Sequence, residues 1–223
     1  MKKLSRGILV TVEGIDGCGK STFVHNLAPL LQEFPIVCTQ EPGATALGNG
    51  LRALVKQQET PLAPKAEFLL YATDRAQHFH EIVEPALAQK KLIISDRMAD
   101  SSVVYQGYAR GLDITIINAV NHWIMDPVTP DLTFFIDIPI ELAAQRTHKR
   151  PVPSSTVKQE QRSFWIIDPA TTDLRKKVLH GYQEIFKNRT NVVTIDGTKK
   201  PEILAQKAAQ YINQWLEKQK LYE

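Results

Sequence analysis

The stretch VEGIDGCGKST, residues 12–22, decides the fold class of this chain. It contains the pattern G-x-x-x-x-G-K-[ST] from Gly14 to Ser21, which follows an apolar run and precedes an amphipathic helical pattern. In this setting the glycines allow successive backbone N–H groups to face phosphate oxygens, and the beginning of the helix adds its positive end. The stretch therefore predicts a P-loop that binds a polyphosphate.

The side chains of the loop complete the predicted phosphate-donor site. Lys20 would place a mobile cation at the outer phosphates, and the hydroxyl of Ser21 or of Thr22 would bind Mg²⁺. The residues that we expect around the nucleotide are Gly14, Asp16, Gly17, Cys18, Gly19, Lys20, Ser21 and Thr22. The pattern alone does not separate a kinase from a GTPase, a motor or a helicase. The guanine-selecting motif N-K-x-D is absent from the sequence, and 223 residues are few for an ATP-driven machine.

The composition limits the classes of partner. The 27 basic and 24 acidic residues leave a net charge of +3, which is too balanced for a nucleic-acid coat, so we expect no nucleic acid. No run approaches the roughly 18 to 20 apolar residues that span a membrane, and the apolar start is shorter than a secretory signal. Cys18 and Cys38 have no paired spacing, and Cys18 lies inside the loop, which favours the reducing cytoplasm.

Short apolar runs alternate with longer helical patterns along the chain. The runs, which predict β-strands, occupy residues 8–13, 36–39, 92–96, 132–137 and 192–196. The helical patterns lie near residues 21–33, 46–58, 64–88, 113–125, 139–149, 170–188 and 200–219. Pro29 and Pro85 fall inside two of these patterns and should kink or shorten the helices. The alternation predicts an α/β P-loop fold of three layers, with a five-stranded parallel sheet and helices on both faces.

One segment interrupts this alternation. The stretch RPVPSSTVKQEQRSFWIID, residues 150–168, has two prolines, paired serines and a basic excess. A further helix and strand of the same pattern follow it, so it predicts a mobile insertion and not a linker between domains. We therefore expect one kinase domain over residues 1–223, with a lid insertion at about 147–168.

The arginines favour a kinase whose acceptor is itself phosphorylated. They are Arg52, Arg75, Arg97 and Arg110, followed by Arg146, Arg150 and Arg162 around the insertion. Such a kinase brings two polyanions into contact, and fixed guanidinium groups compensate that repulsion.

Two motifs resemble the thymidylate kinase family, whose members convert dTMP to dTDP with ATP. EPGATALGNGLR, residues 41–52, is similar to the family's E-P-G-G-T loop. That resemblance implies that Glu41 lies at the acceptor and that Arg52 binds the acceptor phosphate. FLLYATDRAQ resembles the helix in which an aromatic ring stacks on thymine and an arginine contacts a thymine carbonyl. The corresponding residues are Tyr71 and Arg75, one helical turn apart.

The third motif, SDRMADSSVVYQGYARG, resembles D-R-Y-x-x-S-S-x-A-Y-Q-G and is the most specific. It implies that Asp96 and Arg97 lie near the transferring phosphate. Asp96 also ends an apolar strand, where a carboxylate often helps to hold Mg²⁺. The resemblance places Ser102 and Gln106 at the base and Tyr105 against the deoxyribose.

The resemblance also indicates how the reaction would be completed. Asp16 matches the acidic position that the family uses at the 3′-hydroxyl of the acceptor sugar. Some family members carry an arginine in the loop and others supply it from the lid. Gly17 follows Asp16 here, so the resemblance assigns the arginine to the lid. Arg150 would reach the outer phosphate of the donor and Arg146 would support it; the alternative is a solvated basic turn.

Several residues have other readings, and some depart from the family. Tyr71 and Tyr105 could each be core aromatics, and Asp96 with Arg97 could be an ion pair at the end of a strand. Gln40 stands where the family usually has arginine, and Met98 where it usually has an aromatic residue. The H-x-H of residues 78–80 is expected on a partly exposed helix face and not at a metal site.

We therefore expect a cytoplasmic, ATP-dependent dTMP kinase that serves dTTP synthesis, with ATP and Mg²⁺ as cofactors and dTMP as its partner. The family resemblance implies a homodimer. Two alternatives remain: a kinase for another small acceptor, and a weakened homologue that only binds nucleotides.

Overall fold

Five parallel strands form one sheet in the order β2-β3-β1-β4-β5. A computed structural model of the chain describes residues 2–56, 62–148 and 169–222. The strands are β1 (Ile8–Glu13), β2 (Ile36–Gln40), β3 (Leu92–Asp96), β4 (Leu132–Asp137) and β5 (Val192–Asp196). The predicted five-stranded parallel sheet is confirmed, and only β2 is longer than predicted, by one residue.

The strand order places a cleft at the carboxyl edge of the sheet. Strand β1 pairs with β3 on one side and with β4 on the other, so the chain crosses over between them. Val12 and Gln40 both align with Asp96, so β1, β2 and β3 end at nearly the same level. In open α/β sheets, ligands bind outside the carboxyl ends of the strands at such a switch point.

The three central strands account for the continuous apolar runs. All six residues of β1 are buried, and β3 and β4 are buried except at their last residue. Such strands are apolar throughout because helices cover both faces of a parallel sheet. The edge strands β2 and β5 are only partly buried.

Nine α-helices surround the sheet in the described residues. They are α1 (Lys20–Leu27), α2 (Ala46–Lys56), α3 (Pro64–His78), α4 (Glu84–Ala88), α5 (Ala99–Ser102), α6 (Ile114–Met125), α7 (Ile140–His148), α8 (Pro169–Phe186) and α9 (Pro201–Lys218). A 3₁₀ turn containing Pro29 ends α1, and a π-helical turn, Phe79–Val83, separates α3 from α4 just before Pro85. The predicted effect of both prolines is confirmed, since proline has no N–H for a regular α-helical bond.

One helical segment was not predicted. Helix α5 continues into a π-helical stretch, Val103–Ala109. Serine, valine and glycine are weak helix formers, so propensity gives little signal here. Tertiary packing stabilises the segment instead: a Cβ on Gly181 of α8 would lie 2.9 Å from the Tyr108 ring, so the missing side chain admits that ring. Helix α5 and this stretch together carry three of the predicted site residues, Ser102, Tyr105 and Gln106.

The predicted lid lies almost wholly outside the described residues. Only Thr147 and His148, at the end of α7, belong to the structure, and Arg150 and Arg162 lie beyond it. In the described part of the chain, no helix is both long and apolar enough to cross a membrane.

Candidate active site

A cavity of about 580 Å³ opens at the carboxyl edge of the sheet. The predicted site residues that line it are Asp16, Gly17, Gly19, Lys20, Ser21, Thr22, Glu41, Arg52, Tyr71, Arg75, Asp96, Arg97, Ser102, Tyr105, Gln106 and Arg146. Its other lining residues are Gln40, Pro42, Val55, Asp74, Met98 and Ser101. Gly14 and Cys18 belong to the loop but not to the lining, and Arg150 is outside the described residues. The fold thus brings donor-side and acceptor-side candidates into one space.

The backbone of the P-loop adopts conformations that require glycine. Gly17 has φ 88°, and a Cβ there would lie 2.3 Å from the carbonyl oxygen of Ala143 on α7. Gly19, with φ 101°, is the N-cap residue directly before α1. Residues that have a side chain rarely adopt this left-handed backbone conformation. The glycines therefore let the loop pass close under α7 and present its backbone N–H groups at the start of a helix.

Lys20 is held against the loop. Its Nζ donates hydrogen bonds to the carbonyl oxygens of Gly14, at 2.9 Å, and Ile15, at 3.0 Å, and its side chain is buried. The ammonium group therefore lies inside the curve of the loop, where a bound phosphate would compete with these carbonyls for it.

Ser21 and Asp96 form the part of the cavity that fits Mg²⁺. The Oγ of Ser21 donates a 2.6 Å hydrogen bond to Oδ2 of Asp96, at the end of β3. A hydroxyl and a carboxylate next to a phosphate-binding loop are oxygen ligands of the kind that Mg²⁺ prefers.

Arg97 joins the loop to the unpredicted helical segment. Its Nη2 donates to Asp16 in the loop and, at 3.0 Å, to the hydroxyl of Tyr105. Its Nη1 donates to the hydroxyls of Ser101, at 3.0 Å, and Tyr182, at 3.2 Å. Its backbone is left-handed, with φ 73°, which is uncommon for a residue with a side chain. Four partners, from the loop, from the continuous helical segment at residues 99–109 and from α8, therefore fix this guanidinium.

The charges around the loop keep Asp16 ionised. Burial on its own pushes the pKa of Asp16 upward, but the positive charges of Arg97 and Lys20 outweigh it, so that pKa lies below its usual range. A charged Asp16 is a hydrogen-bond acceptor, which suits the predicted contact with a sugar hydroxyl.

Arg75 is clamped in the wall of the cavity. Its Nε donates to Glu41 at 2.9 Å, its Nη1 to Asn121 at 2.7 Å, and its Nη2 to Ser102 Oγ at 3.0 Å and to the carbonyl oxygen of Met98 at 3.2 Å. Four of the five N–H groups of a guanidinium are thus engaged with protein. This oriented group leaves a single N–H for the predicted contact with a base carbonyl.

Glu41 is shared between Arg75 and a buried histidine. Nδ1 of His78 lies 2.9 Å from the second oxygen of Glu41, and Nε2 lies 2.6 Å from the hydroxyl of Thr39. His78 is fully buried, so the expectation of a partly exposed helix face is wrong for this residue. The reason is that α3 buries a polar stripe, which apolar periodicity does not reveal.

The buried polar stripe of α3 also includes Glu67, one helical turn before Tyr71. Glu67 accepts hydrogen bonds from Gln106 at 2.7 Å and from Arg110 at 3.0 Å. Burial, followed by the charge of Glu67, raises the pKa of the Tyr71 hydroxyl, which therefore stays protonated. Tyr71 is half-buried beside the cavity, so its ring is available as a stacking surface.

Arg52 and Arg146 are two further arginines of the cavity lining. Nη1 of Arg52, on α2, donates at 2.7 Å to the carbonyl oxygen of Pro42 in the acceptor-side loop. Nη1 of Arg146, on α7, donates to the carbonyl oxygens of Gly197, at 3.0 Å, and Cys18, at 3.4 Å. Arg146 therefore lies beside the P-loop, as its predicted supporting role requires.

Glu13 is a buried residue of the site that the sequence did not single out. Its Oε1 accepts the backbone N–H of Met98 at 2.8 Å, and its Oε2 accepts the hydroxyls of Ser101 at 2.7 Å and Tyr182 at 2.8 Å. One signal was available, since a carboxylate ends an otherwise apolar strand directly before the loop. Tyr182 lies in GYQEI, residues 181–185, which is similar to a stretch of the family, but that stretch did not indicate a contact with the site. Asn121 had no signal.

Comparisons with known proteins agree with this geometry. The sequence model of the family described as thymidylate kinase matches residues 12–208. The chain belongs to the thymidylate kinase family. The family inferred from the three motifs is therefore confirmed.

The relatives cover nearly the whole chain. It is 37% identical over 198 residues to a thymidylate kinase of Kosmotoga olearia, covering 87% of this chain and 90% of the relative. It is 34% identical over 211 residues to that of Fervidobacterium nodosum, covering 94% of this chain and 100% of the relative. The crystal structure of thymidylate kinase from Ehrlichia chaffeensis superposes with a TM-score of 0.72 at 29% identity, covering 93% of this chain and 99% of that one. The predicted P-loop fold is confirmed.

Proposed function

We propose that this chain transfers the γ-phosphate of ATP to dTMP, giving dTDP for dTTP synthesis. Its membership in the thymidylate kinase family confirms the predicted activity, an ATP-dependent dTMP kinase. The observation that carries the residue assignments is the placement of Arg97, which bonds both to Asp16 of the phosphate loop and to Tyr105 of the acceptor-side segment.

The donor would occupy the loop. The N–H groups of residues 14–22 and the ammonium of Lys20 would bind the phosphates of ATP, and the hydroxyls of Ser21 and Thr22 lie at the start of α1. Ser21 and Asp96 would hold Mg²⁺, which supplies positive charge that neutralises the phosphate oxygens.

The acceptor would occupy the other half of the cavity. Arg52 and Arg97 would bind the phosphate of dTMP, and Tyr71 would stack on thymine. Arg75, already oriented by Glu41, would donate to a thymine carbonyl. The remaining expected contacts are Asp16 with the 3′-hydroxyl, Tyr105 with the deoxyribose, and Glu41, Ser102 and Gln106 around the base and its loop.

Positioning and charge would account for the catalysis. A phosphate monoester oxygen is already largely ionised at neutral pH, so no strong general base is required. Arg97, on the acceptor side, and Lys20, on the donor side, would oppose the repulsion between the two substrates. Arg146 beside the loop, with Arg150 of the proposed lid at residues 147–168, would complete the charge at the transferring group.

A homodimer and a cytoplasmic location complete the proposal. Exposed apolar side chains of the described residues collect on three neighbouring helices, α2, α3 and α6: Leu47, Leu54, Leu69, Ile116 and Trp123. Trp123 is 82% exposed. Exposed apolar side chains on neighbouring helices are typical of interaction sites, and a second copy of the chain is the partner that the family membership favours.

The test is release of ADP in the presence of dTMP, ATP and Mg²⁺, compared between the wild type and Lys20→Ala. We expect turnover to fall by about a hundredfold or more in Lys20→Ala, because a preorganised cation is lost at the transition state. Lys218→Ala, at the end of α9, is the matched control and should keep wild-type turnover. Near-normal turnover of Lys20→Ala would show that the loop is not the donor site.

A further inference from the structure

The hydroxyls that hold Arg97 are themselves oriented by Glu13. A hydroxyl has one proton and two lone pairs, so its role as donor or acceptor depends on where the proton goes. Ser101 and Tyr182 both lie within hydrogen-bonding distance of the same carboxylate oxygen of Glu13. When they donate to Glu13, their lone pairs are left to accept from Nη1 of Arg97.

The carboxylate that sets this direction is itself fixed. Glu13 is fully buried at the end of β1, and the backbone N–H of Met98 donates to its other oxygen. Above about pH 7, where Glu13 is ionised despite its raised pKa, these hydrogen bonds have a charged acceptor and are roughly twice as strong as those between neutral groups. The hydrogen bonds from Glu13 through the two hydroxyls to Arg97 therefore form a directed network that runs from the buried end of β1 to the cavity wall.

Tyr182 brings a distant helix into this network. It lies in α8, the helix that begins at residue 169, where the expected lid ends. Its ring packs on Phe135 and Phe186, with ring centroids 5.4 and 5.6 Å apart. A phenylalanine would keep this packing, so the hydroxyl serves a purpose that core packing does not explain.

We propose that Glu13 and Tyr182 are positioning residues, which hold the Arg97 guanidinium toward the acceptor phosphate and tie its orientation to α8. The proposal rests on the proposed function, because the contact between Arg97 and that phosphate is itself proposed. Neither residue touches the substrates in this account; both act through Arg97.

The experiment is steady-state kinetics combined with a double-mutant cycle. Tyr182→Phe removes one oxygen and keeps the ring, and Tyr211→Phe, on the half-exposed face of α9, is the matched control. We expect kcat/KM for dTMP to fall about tenfold in Tyr182→Phe, the usual effect of losing a hydrogen bond to a charged group. The KM for ATP should stay within about twofold, and Tyr211→Phe should match the wild type. Glu13→Gln should give the same pattern as Tyr182→Phe.

The cycle separates positioning from a structural role. On an Arg97→Ala background, Tyr182→Phe should cause little further loss, because there is no guanidinium left to orient. If Tyr182→Phe has wild-type kinetics, or costs the same with and without Arg97, the positioning proposal is wrong. If Tyr182→Phe does not unfold cooperatively, Ser101→Ala takes its place in the same cycle.

Arg97→Ala on its own separates a failure of the positioning proposal from a failure of the proposed role of Arg97. A large loss in Arg97→Ala with no effect of Tyr182→Phe overturns the positioning proposal only. Wild-type dTMP kinetics in Arg97→Ala would overturn the proposed role of Arg97 and, with it, the need for any positioning residue.

Discussion

Ser21 and Asp96 are 75 positions apart in the sequence, yet the hydroxyl of one donates a 2.6 Å hydrogen bond to the carboxylate of the other. The first lies in the opening turn of α1 and the second at the carboxyl end of β3. The fold thereby joins an oxygen from the phosphate loop to an oxygen from the neighbouring strand, next to the place proposed for the donor phosphates.

Asp96→Asn should therefore change the dependence of turnover on Mg²⁺. The substitution keeps the size of the side chain but removes the charge that attracts a divalent cation. We expect the Mg²⁺ concentration at half-maximal rate to rise about tenfold or more, measured by ADP release in a Mg²⁺ titration. Asp173→Asn, on an exposed turn of α8, is the control. An unchanged Mg²⁺ requirement would remove Asp96 from the metal site.

Arg52→Ala should affect the acceptor and leave the donor unaffected. Arg52 is half-buried in the lining of the cavity, and a guanidinium that binds phosphate typically contributes a charged hydrogen bond. We expect the KM for dTMP to rise about tenfold while the KM for ATP stays the same. Arg6→Ala is the control, because Arg6 precedes β1 and lies at the opposite edge of the sheet. If the dTMP titrations of Arg52→Ala and wild type coincide, the acceptor phosphate binds elsewhere.

Arg75→Ala should destabilise the protein as well as the pocket. Glu41 would keep its buried charge and lose its guanidinium partner, since both side chains are at most 4% exposed. Breaking a buried pair in this way costs about 3–5 kcal/mol of unfolding free energy. Urea denaturation measures it, with Lys177→Ala as a control from an exposed ion pair, where about 0.5 kcal/mol is the usual cost. A loss below about 1 kcal/mol would contradict the geometry described for Arg75.

Thymine selectivity is a separate consequence of the same residue. Arg75→Ala should be compared with the wild type at temperatures where the variant is folded, using dTMP and other monophosphates as acceptors. We expect the ratio of kcat/KM for dTMP to that for the other monophosphates to fall in the variant, because the proposed donor to the base carbonyl, the Arg75 guanidinium, is absent.

Glu13 should make stability depend on pH. Burial, followed by the charge of Asp100, raises the pKa of Glu13 from 4.5 to about 7 in the folded protein. Between these values the folded state binds the proton more tightly than the unfolded state, so the free energy of unfolding falls as pH rises through this window. In Glu13→Gln this contribution disappears, so the difference between variant and wild type should change by on the order of 3 kcal/mol from pH 4 to pH 8. Parallel pH profiles from urea denaturation would show that Glu13 has an ordinary pKa.

The sheet and most of the cavity could be predicted from the sequence because the signals are local. Central strands buried on both faces, as β1 is, give continuous apolar runs, and glycine spacing marks the loop. The three acceptor motifs contained most of the remaining cavity residues, which the fold then brought together.

The hydrogen-bond network that links Glu13 and Tyr182 to Arg97 could not be predicted in the same way. Glu13 and Tyr182 are 169 positions apart, and no periodicity relates a residue at the end of β1 to one inside α8. Asn121, which accepts from Arg75 at 2.7 Å, lies on an amphipathic helix where a buried amide looks like any polar position. The segment Val103–Ala109 was missed because packing, and not propensity, makes it helical.

The most direct test of the central claim is ADP release with a panel of acceptors: dTMP, UMP, CMP and AMP at equal concentrations, with saturating ATP and Mg²⁺. We expect dTMP to give a kcat/KM at least about a hundredfold above each of the others, because Tyr71, Arg75 and Tyr105, which line the cavity, are the residues proposed to select the base and the deoxyribose. Equal rates for all four acceptors, or a higher rate for another one, would contradict the account, and so would an ADP release that no acceptor increases.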